Sequence, residues 1–281
     1  MENYLNIKIS SSIFSTLTIV AFLVLFASSD AQGEAWLISS SPSFTREQSE
    51  KVFVPIARLL ANATDKDFEY RYLANWPAYI QAMRESKSVL LFDEPHLVSW
   101  RIENGKHIPL LKLSGNMSFV IIKKKNDESI IQLSDLAGHP VCANAPPAID
   151  GLVLLAQFNN PVRQPQIRQV KNYTDAYHQL LNGRCRGALL PARLHENISR
   201  NGNDTRVLYL SETFPNWTFS VDSRIPKPLQ NKIQQTLLSP DRTDTTGAMI
   251  NVIDPGSALL PAASSEYQGY SSLLKHFWGL R

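Results

Sequence analysis

The feature that most constrains the fold is an alternation between short apolar runs and amphipathic segments with helical spacing, which begins after residue 31. Such alternation is typical of α/β proteins, in which helices cover a mostly parallel sheet. A strand-helix-strand-helix-strand unit occurs twice. Its strands are predicted at residues 35–38, 68–73 and 88–92 in the first copy and at 140–143, 166–170 and 187–190 in the second.

Two further apolar strands, near Phe119 and Phe219, connect the two units. The first carries the chain into the second unit and the other carries it back. Two lobes joined by two crossing strands form a hinge and a cleft, so we predict an α/β two-lobed clamshell. The predicted domains are a signal segment 1–31, a first part of lobe 1 at 32–117, lobe 2 at 118–212, and a return to lobe 1 with C-terminal helices at 213–281.

Local signals predict where several helices begin and end. Thr45 and Gln48 have the spacing of a capping box and open a helix. Gly183 follows an amphipathic segment that begins near Tyr173, as is common after the last turn of a helix. The tail from Tyr267 to Phe277 has helical spacing of its apolar residues, so we predict a final amphipathic helix that docks on the body.

The N-terminus has the organisation of a secretory signal. An apolar run at 19–27 lies between the charges of Lys8 and Asp30, and Ser29 and Ala31 match a small-residue cleavage site. The strongly apolar part is about ten residues, short of the ~20 that span a bilayer. We therefore predict a cleaved signal and a periplasmic protein, with an uncleaved anchor as the alternative.

Charge and motifs argue against several classes of function. The net charge is +3, and the basic cluster at 123–125 is explained as a solvated strand end, so no nucleic-acid partner is expected. The chain lacks HExxH, GxSxG and Gly-rich phosphate motifs, and its histidines are scattered. We therefore predict a monomer that is not an enzyme and has no metal or cofactor. The histidines are His96, His107, His139, His178, His195 and His276.

Two cysteines, Cys142 and Cys185, complete the inventory of reactive groups. In an oxidising compartment such a pair usually forms a disulfide, and a reactive thiol is the alternative. Both residues lie at the starts of strands that a doubly wound unit places side by side. A cross-strand disulfide is therefore the favoured interpretation.

Four segments resemble a known family, in the order in which that family carries them: 76–83, 132–151, 180–192 and 211–238. The second, QLSDLAGHPVCANAPPAIDG, is similar to the family phrase sLkDLkGKkVAfxxPxSxSG. The family is the phosphate, phosphite and phosphonate class of periplasmic substrate-binding proteins, which have the type 2 periplasmic-binding fold. The resemblance implies a receptor that closes on a small molecule and delivers it to an ABC transporter.

The chain departs from the family pattern at positions that the resemblance places near the ligand. The hydroxyl-rich SxSG turn falls on residues 148–151, where only Gly151 is kept and Asp150 would repel a phosphonate. The aspartate of the family phrase GkVDAa corresponds to Arg186. A mixed-charge cleft of this kind indicates a different polar or zwitterionic ligand. The alternative role is that of a ligand-binding partner of a periplasmic sensor or redox system, without transport.

The candidate ligand residues are those expected at the carboxyl ends of strands, which face the crevice in open α/β sheets. Each has a structural alternative: Trp76 as a core aromatic, Asp93 and Glu94 as helix-opening acids, Asp150 as a helix cap, and Arg186 as a partner of Asp150. The full set is Ser40, Ser41, Trp76, Asp93, Glu94, His96, Asp150 and Arg186.

Overall fold

The computed structural model describes residues 35–200, 202, 204–240, 243–275 and 277. The signal segment predicted at 1–31 lies outside these residues. The strands are β1 (Trp36–Ser40), β2 (Phe68–Tyr70), β3 (Leu90–Asp93), β4 (His107–Leu113), β5 (Asn116–Met117), β6 (Phe119–Lys124), β7 (Pro140–Ala143), β8 (Gln166–Gln169), β9 (Gly187–Pro191), β10 (Thr205–Leu210), β11 (Phe214–Pro215), β12 (Thr218–Asp222) and β13 (Leu259–Pro261).

The helices alternate with these strands, as the pattern predicts. Their bounds are α1 (Arg46–Thr64), α2 (Trp76–Glu85), α3 (Pro95–Glu103), α4 (Ile149–Ala156), α5 (Tyr173–Leu181), α6 (Ala192–Ser199), α7 (Lys227–Leu238) and α8 (Thr243–Ile253). In the part of the chain that the structure describes, every helix is too short or too polar to cross a bilayer.

Lobe 1 is built on a six-stranded sheet with the order β13-β4-β12-β3-β1-β2. Strand β1 is parallel to β2 and β3, whereas β12 is antiparallel to β3 and β4. Helix α1 packs its apolar face on this sheet through Val52, Phe53, Ile56 and Leu60. The predicted capping box opens α1: Gln48 N donates to Thr45 Oγ1 at 3.3 Å, and Thr45 N donates to Gln48 Oε1 at 3.1 Å.

Lobe 2 is built on a five-stranded sheet with the order β10-β6-β9-β7-β8. Strand β7 is parallel to both β8 and β9, and β6 is antiparallel to β9. Alternate residues of the central strands enter two cores, one on each face, because successive side chains of a strand point to opposite sides. Ile121 and Leu189 lie in one core, and Ile122 and Leu190 lie in the other.

The chain crosses between the lobes twice, and the two crossing segments pair with each other. In this short ladder Met117 of β5 lies opposite Phe214 of β11. The prediction of two crossing strands is confirmed, but their position is shifted. Phe119 lies in β6 of lobe 2 and Phe219 in β12 of lobe 1, so each belongs to a lobe sheet just beyond its crossing.

The predicted final helix is wrong. The tail forms two short 3₁₀ turns, Ser264–Tyr267 and Tyr270–Leu274, separated by Gly269 with φ +84°. A left-handed residue cannot continue an α-helix, so the chain turns at this glycine. The second turn packs on α3 of lobe 1 and α4 of lobe 2, and Ser271 N donates to Ser99 Oγ at 2.9 Å. The docking of the tail is therefore present without the helix.

The disulfide between Cys142 and Cys185 is present in the structure. Cys142 lies in β7 and Cys185 two residues before β9, its parallel neighbour, and their Cα atoms are 5.8 Å apart. Both side chains are buried in the core of lobe 2. The bond therefore joins adjacent strands, as the doubly wound unit predicts.

We expect loss of this disulfide to lower the free energy of unfolding by about 4 kcal/mol, because it closes a loop of 43 residues in the unfolded chain. Urea unfolding of the double variant Cys142→Ala/Cys185→Ala measures the loss. Alkylation of the unfolded protein without reductant should leave its mass unchanged. Two alkylated thiols in the exported protein would contradict the assignment.

Candidate functional site

The two lobes meet where the loop after β3 faces the loop after β7. His96, at the start of α3, donates from Nε2 to the carbonyl oxygen of Pro147 at 2.8 Å. The backbone N–H of Ile149 donates to the carboxylate of Glu94. Both strand ends are carboxyl ends, the edge at which open α/β sheets bind ligands. We call Glu94, His96, Asp150 and the loop 144–149 the interlobe site.

Asp93, next to the interlobe site, is neutralised within lobe 1. Arg101 Nε donates to its Oδ2 at 3.2 Å, and the Tyr79 hydroxyl donates to its Oδ1. Arg101 Nη2 also donates to Tyr79 Oη at 3.1 Å. All three side chains are fully buried. Burial raises the pKa of Asp93, and Arg101 opposes that shift. Asp93 therefore belongs to a closed network.

Glu94 has no such compensation. It is 3% exposed, and none of the ion pairs among the described residues includes it. Its Oε2 has no hydrogen-bond partner. Burial raises the pKa of Glu94 well above its ordinary value, and the charges of Asp150 and Asp93 raise it further. Glu94 directly precedes α3, as a helix-opening acid does, but its side chain makes no capping hydrogen bond.

Asp150 faces Glu94 from lobe 2. Asp150 is the second residue of α4 and Ala148 is its capping position, so Asp150 is not the capping residue itself. Its carboxylate nonetheless accepts hydrogen bonds from the backbone N–H groups of Asp150 and Gly151 in the first turn of the helix. Its Oδ2 accepts hydrogen bonds from Asn144 N at 3.2 Å and Asn144 Nδ2 at 3.0 Å, while Oδ1 has no partner. Burial raises the pKa of Asp150 to about 6, against the opposing hydrogen bonds from Asn144.

His96 supplies a third group without a partner. Its side chain is fully buried, and burial lowers its pKa to about 4, so the ring is neutral near pH 7. The hydrogen bond to Pro147 O requires the proton to be on Nε2. Nδ1 is then an acceptor, and it has no hydrogen-bond partner.

Tyr173 also belongs to the interlobe site. Nothing in the sequence pattern distinguished it from the other residues of an amphipathic helix. It begins α5, and its hydroxyl is hydrogen-bonded to the side chain of Asn144. Burial raises its pKa well above 10, and the charges of Asp150 and Glu94 add to the shift. Its position depends on the pairing of β7 with β8, which only the folded lobe defines.

Gly151 explains how α4 approaches the loop so closely. A Cβ at this position would lie 2.8 Å from Pro146 N and would also overlap the carbonyl oxygen of Asn144. Real side chains do not make such contacts with backbone, so only glycine permits the first turn of α4 to lie against residues 144–146. The one residue kept from the family turn therefore has a packing role.

The remaining candidate residues are in lobe 1. They are Ser40, Ser41 and Trp76. Ser40 Oγ is hydrogen-bonded to Tyr70 Oη at 3.0 Å, and the backbone of Ser41 bonds to Asp93. Trp76 is partly buried and packs edge-on against Tyr79, with ring centroids 5.7 Å apart. It belongs to an interlobe apolar cluster formed around Tyr79, Ile80, Met83, Leu97, Leu152 and Leu274.

Arg186 does not lie in the cleft between the lobes, so the prediction that it contacts the ligand there is wrong. It precedes β9, at the amino end of the strands, whereas Asp150 follows the carboxyl end of β7. Its guanidinium donates to both carboxylate oxygens of Asp127 at 2.9 Å and to Ser129 Oγ. The alternative pairing with Asp150 is therefore also wrong, because the two residues lie at opposite edges of one sheet.

The fold is a two-lobed α/β structure with buried polar groups where the lobes meet. Comparison with known proteins gives the family. The family model "ABC transporter, phosphonate, periplasmic substrate-binding protein" matches residues 38–267. The chain belongs to this family of solute-binding proteins and is therefore not an enzyme. No curated protein matches the sequence.

Solved structures show the same fold at low identity. PhnD1 from Prochlorococcus marinus, in complex with methylphosphonate, is 12% identical with a TM-score of 0.66, covering 86% of this chain and 97% of that one. A Xanthomonas citri protein bound to ATP is 11% identical with a TM-score of 0.66, covering 86% and 98%. A binding-protein component of an ABC phosphonate transporter from Pseudomonas aeruginosa is 11% identical with a TM-score of 0.62, covering 83% of each chain. At these identities the likeness establishes the type 2 periplasmic-binding fold alone.

We expect Arg101→Met to lower the free energy of unfolding by about 3–5 kcal/mol, because it leaves Asp93 buried without its cation. Urea unfolding at pH 7 measures the change. The double variant Arg101→Met/Asp93→Leu removes both charges and should recover much of the loss. Equal stability of the single variant and the unaltered protein would contradict the role of this network.

We expect Asp150 to make stability depend on pH. Its pKa is near 3.8 when unperturbed and about 6 in the folded protein, so its contribution is fully present below pH 4 and is lost as pH rises through 6. Glu94 and Tyr173 face it, and His96 titrates with the opposite sign. The difference in unfolding free energy between the unaltered protein and Asp150→Asn should therefore fall from pH 4 to pH 7. A constant difference would contradict the assignment.

Proposed function

We propose that this protein is the periplasmic solute-binding component of an ABC transporter, exported through cleavage after Ala31, and that it captures a small polar ligand at the interlobe site. Membership of the family supports the transport role. The position of the site, between two lobes joined by two crossing strands, supports capture by closure.

The observation that carries the proposal is a set of buried polar atoms without partners at the contact between lobes. These are Glu94 Oε2, His96 Nδ1 and Asp150 Oδ1. A buried polar group without a hydrogen bond costs about 1–3 kcal/mol, and more if it is charged, so such groups are concentrated where a ligand completes them. Their position on both lobes means that one ligand would bridge the lobes.

The ligand proposed here is not a phosphonate. Where the family turn offers hydroxyl donors, this chain offers the carboxylate of Asp150, with Glu94 opposite it. Two carboxylates and a dianionic phosphonate would repel one another in a buried site, where charges are poorly screened. The methylphosphonate of the PhnD1 complex therefore supports the location of a ligand between lobes but not its charge.

The alternative, a partner of a periplasmic sensor or redox system, would use the same interlobe site. A redox role has no support from the cysteines, because Cys142 and Cys185 are 0% and 1% exposed and bonded to each other. Permease and ATPase genes beside this gene would favour transport. A neighbouring histidine kinase gene would favour the sensor role.

Thermal-shift measurement against phosphonates, amino acids, amines and sugars tests the proposal on the exported protein, whose first residue we expect to be Gln32. A ligand at 100 times its Kd stabilises the native state by about 2.7 kcal/mol, so a true ligand is plainly visible. Glu94→Gln should raise the Tm without ligand, because it removes repulsion from Asp150, and should reduce the ligand-induced shift at the same ligand concentration. Glu69→Gln, an exposed position on β2, is the matched control.

Two results would overturn the proposal. One is the absence of stabilisation by every compound class at millimolar concentration. The other is a ligand whose stabilising effect is the same in Glu94→Gln, Asp150→Asn and the unaltered protein, because the ligand would then bind away from the interlobe site.

A further inference from the structure

We infer that the ligand of the interlobe site carries a primary ammonium group, which is held between Glu94 and Asp150 in place of the anion that the family binds. The inference rests on the proposed function, because it names the ligand class of that same site. It follows from the charges, the free hydrogen-bonding atoms and the apolar surroundings of the site.

The charge at the site is negative and uncompensated. Asp93 is paired with Arg101, but neither Glu94 nor Asp150 takes part in any ion pair formed by the described residues. Both carboxyls are buried, and the charge of Asp150 opposes ionisation of Glu94. Buried carboxylates of this kind require a proton or a cation, since a charge without a partner is very costly there.

The free atoms at the site are all acceptors. Glu94 Oε2 and Asp150 Oδ1 are carboxylate oxygens, and His96 Nδ1 is the lone-pair nitrogen of a ring whose proton is on Nε2. An acceptor can be satisfied only by a donor, which a fully deprotonated phosphonate lacks. A primary ammonium group has N–H donors and one positive charge, and it therefore supplies both the donors and the charge that Glu94 Oε2 and Asp150 Oδ1 lack.

A divalent metal ion does not fit the same description. The described residues contain no group of three or more His, Cys, Asp or Glu side chains arranged to hold a metal. Besides the polar groups of Tyr173 and Asn144, the site is bordered by the interlobe apolar cluster, to which Leu97, directly after His96, and Leu152, two residues after Asp150, belong. A short aliphatic body on the ammonium group suits this cluster.

Either a proton or an ammonium group can neutralise Glu94 or Asp150, and a measurement can distinguish the two cases. Burial raises the pKa of Asp150 to about 6, so part of the population carries a proton on Asp150 near pH 6, and burial also raises the pKa of Glu94. An ammonium ligand must displace that proton to form its ion pair. Its binding should therefore release protons, and its affinity should rise between pH 5 and pH 7.

Calorimetric titration with three amines, propylamine, 2-aminoethanol and 1,4-diaminobutane, tests the inference on the exported protein. The comparison compounds are 1-propanol, which is neutral, tetramethylammonium, which has no N–H donors, and methylphosphonate, which is anionic. We expect at least one amine to bind and the comparison compounds to fail. Titration in two buffers with different ionisation enthalpies should show proton release on binding.

Variants locate the site. Glu94→Gln and Asp150→Asn should each weaken amine binding by about tenfold or more, the usual effect of losing a charge-assisted hydrogen bond. Glu69→Gln, with the same chemical change at an exposed position of lobe 1, should bind as the unaltered protein does. An affinity for amines that is unchanged in both Glu94→Gln and Asp150→Asn would overturn the inference.

The failure of this inference can be told apart from failure of the proposed function. If methylphosphonate or another anion binds, is sensitive to Glu94→Gln and Asp150→Asn, and the amines do not bind, the ammonium inference is overturned while capture at the interlobe site stands. If neither the amines nor any compound of the wider thermal-shift screen binds, both are overturned. Equal affinity for propylamine and tetramethylammonium would overturn the requirement for N–H donors.

Discussion

The buried ion pair between Arg101 and Asp93 is the interaction on which the ligand-facing edge of lobe 1 depends. Asp93 ends β3, and its partners Arg101 and Tyr79 lie on α3 and α2, so one network joins two helices to the central sheet. Because every member is satisfied, the network fixes the start of α3 and the direction of the chain there. Glu94 and His96, which follow at once, are thereby held against lobe 2.

The electrostatics of the site follow from this arrangement. Arg101 is fully engaged by Asp93 and Tyr79, so its charge is not free to balance Glu94. Asp150, brought close by the contact of Gly151 with the loop 144–146, adds a second buried carboxyl. The family fold is kept, while the segment aligned with the family turn has the sequence AIDG at 148–151 here. The preference for a cation proposed above rests on these buried carboxyls and not on the fold, because a fold alone does not define a ligand.

Much of the fold was predictable from local patterns. The strand at 140–143 and the capping box at Thr45 match the structure, because each depends on neighbours within a few residues. The tail was wrongly predicted to be a helix, because the spacing of apolar residues does not reveal that Gly269 adopts a left-handed conformation. The candidate residues after β1 and β3 lie at the carboxyl ends of neighbouring strands, as the order of the strands predicts. Arg186 was misplaced because alignment with a family phrase says nothing about which end of a strand faces the ligand.

The sequence by itself determined the two-lobed α/β architecture and the family, which follow from alternation of apolar runs and from ordered phrases, and it favoured the disulfide that the structure contains. Only the tertiary structure decided which acids remain without compensation. Asp93 and Glu94 are adjacent in sequence, yet Arg101 neutralises the first while Asp150 faces the second. Charge balance in a buried site depends on distances across the fold, which a linear pattern does not contain.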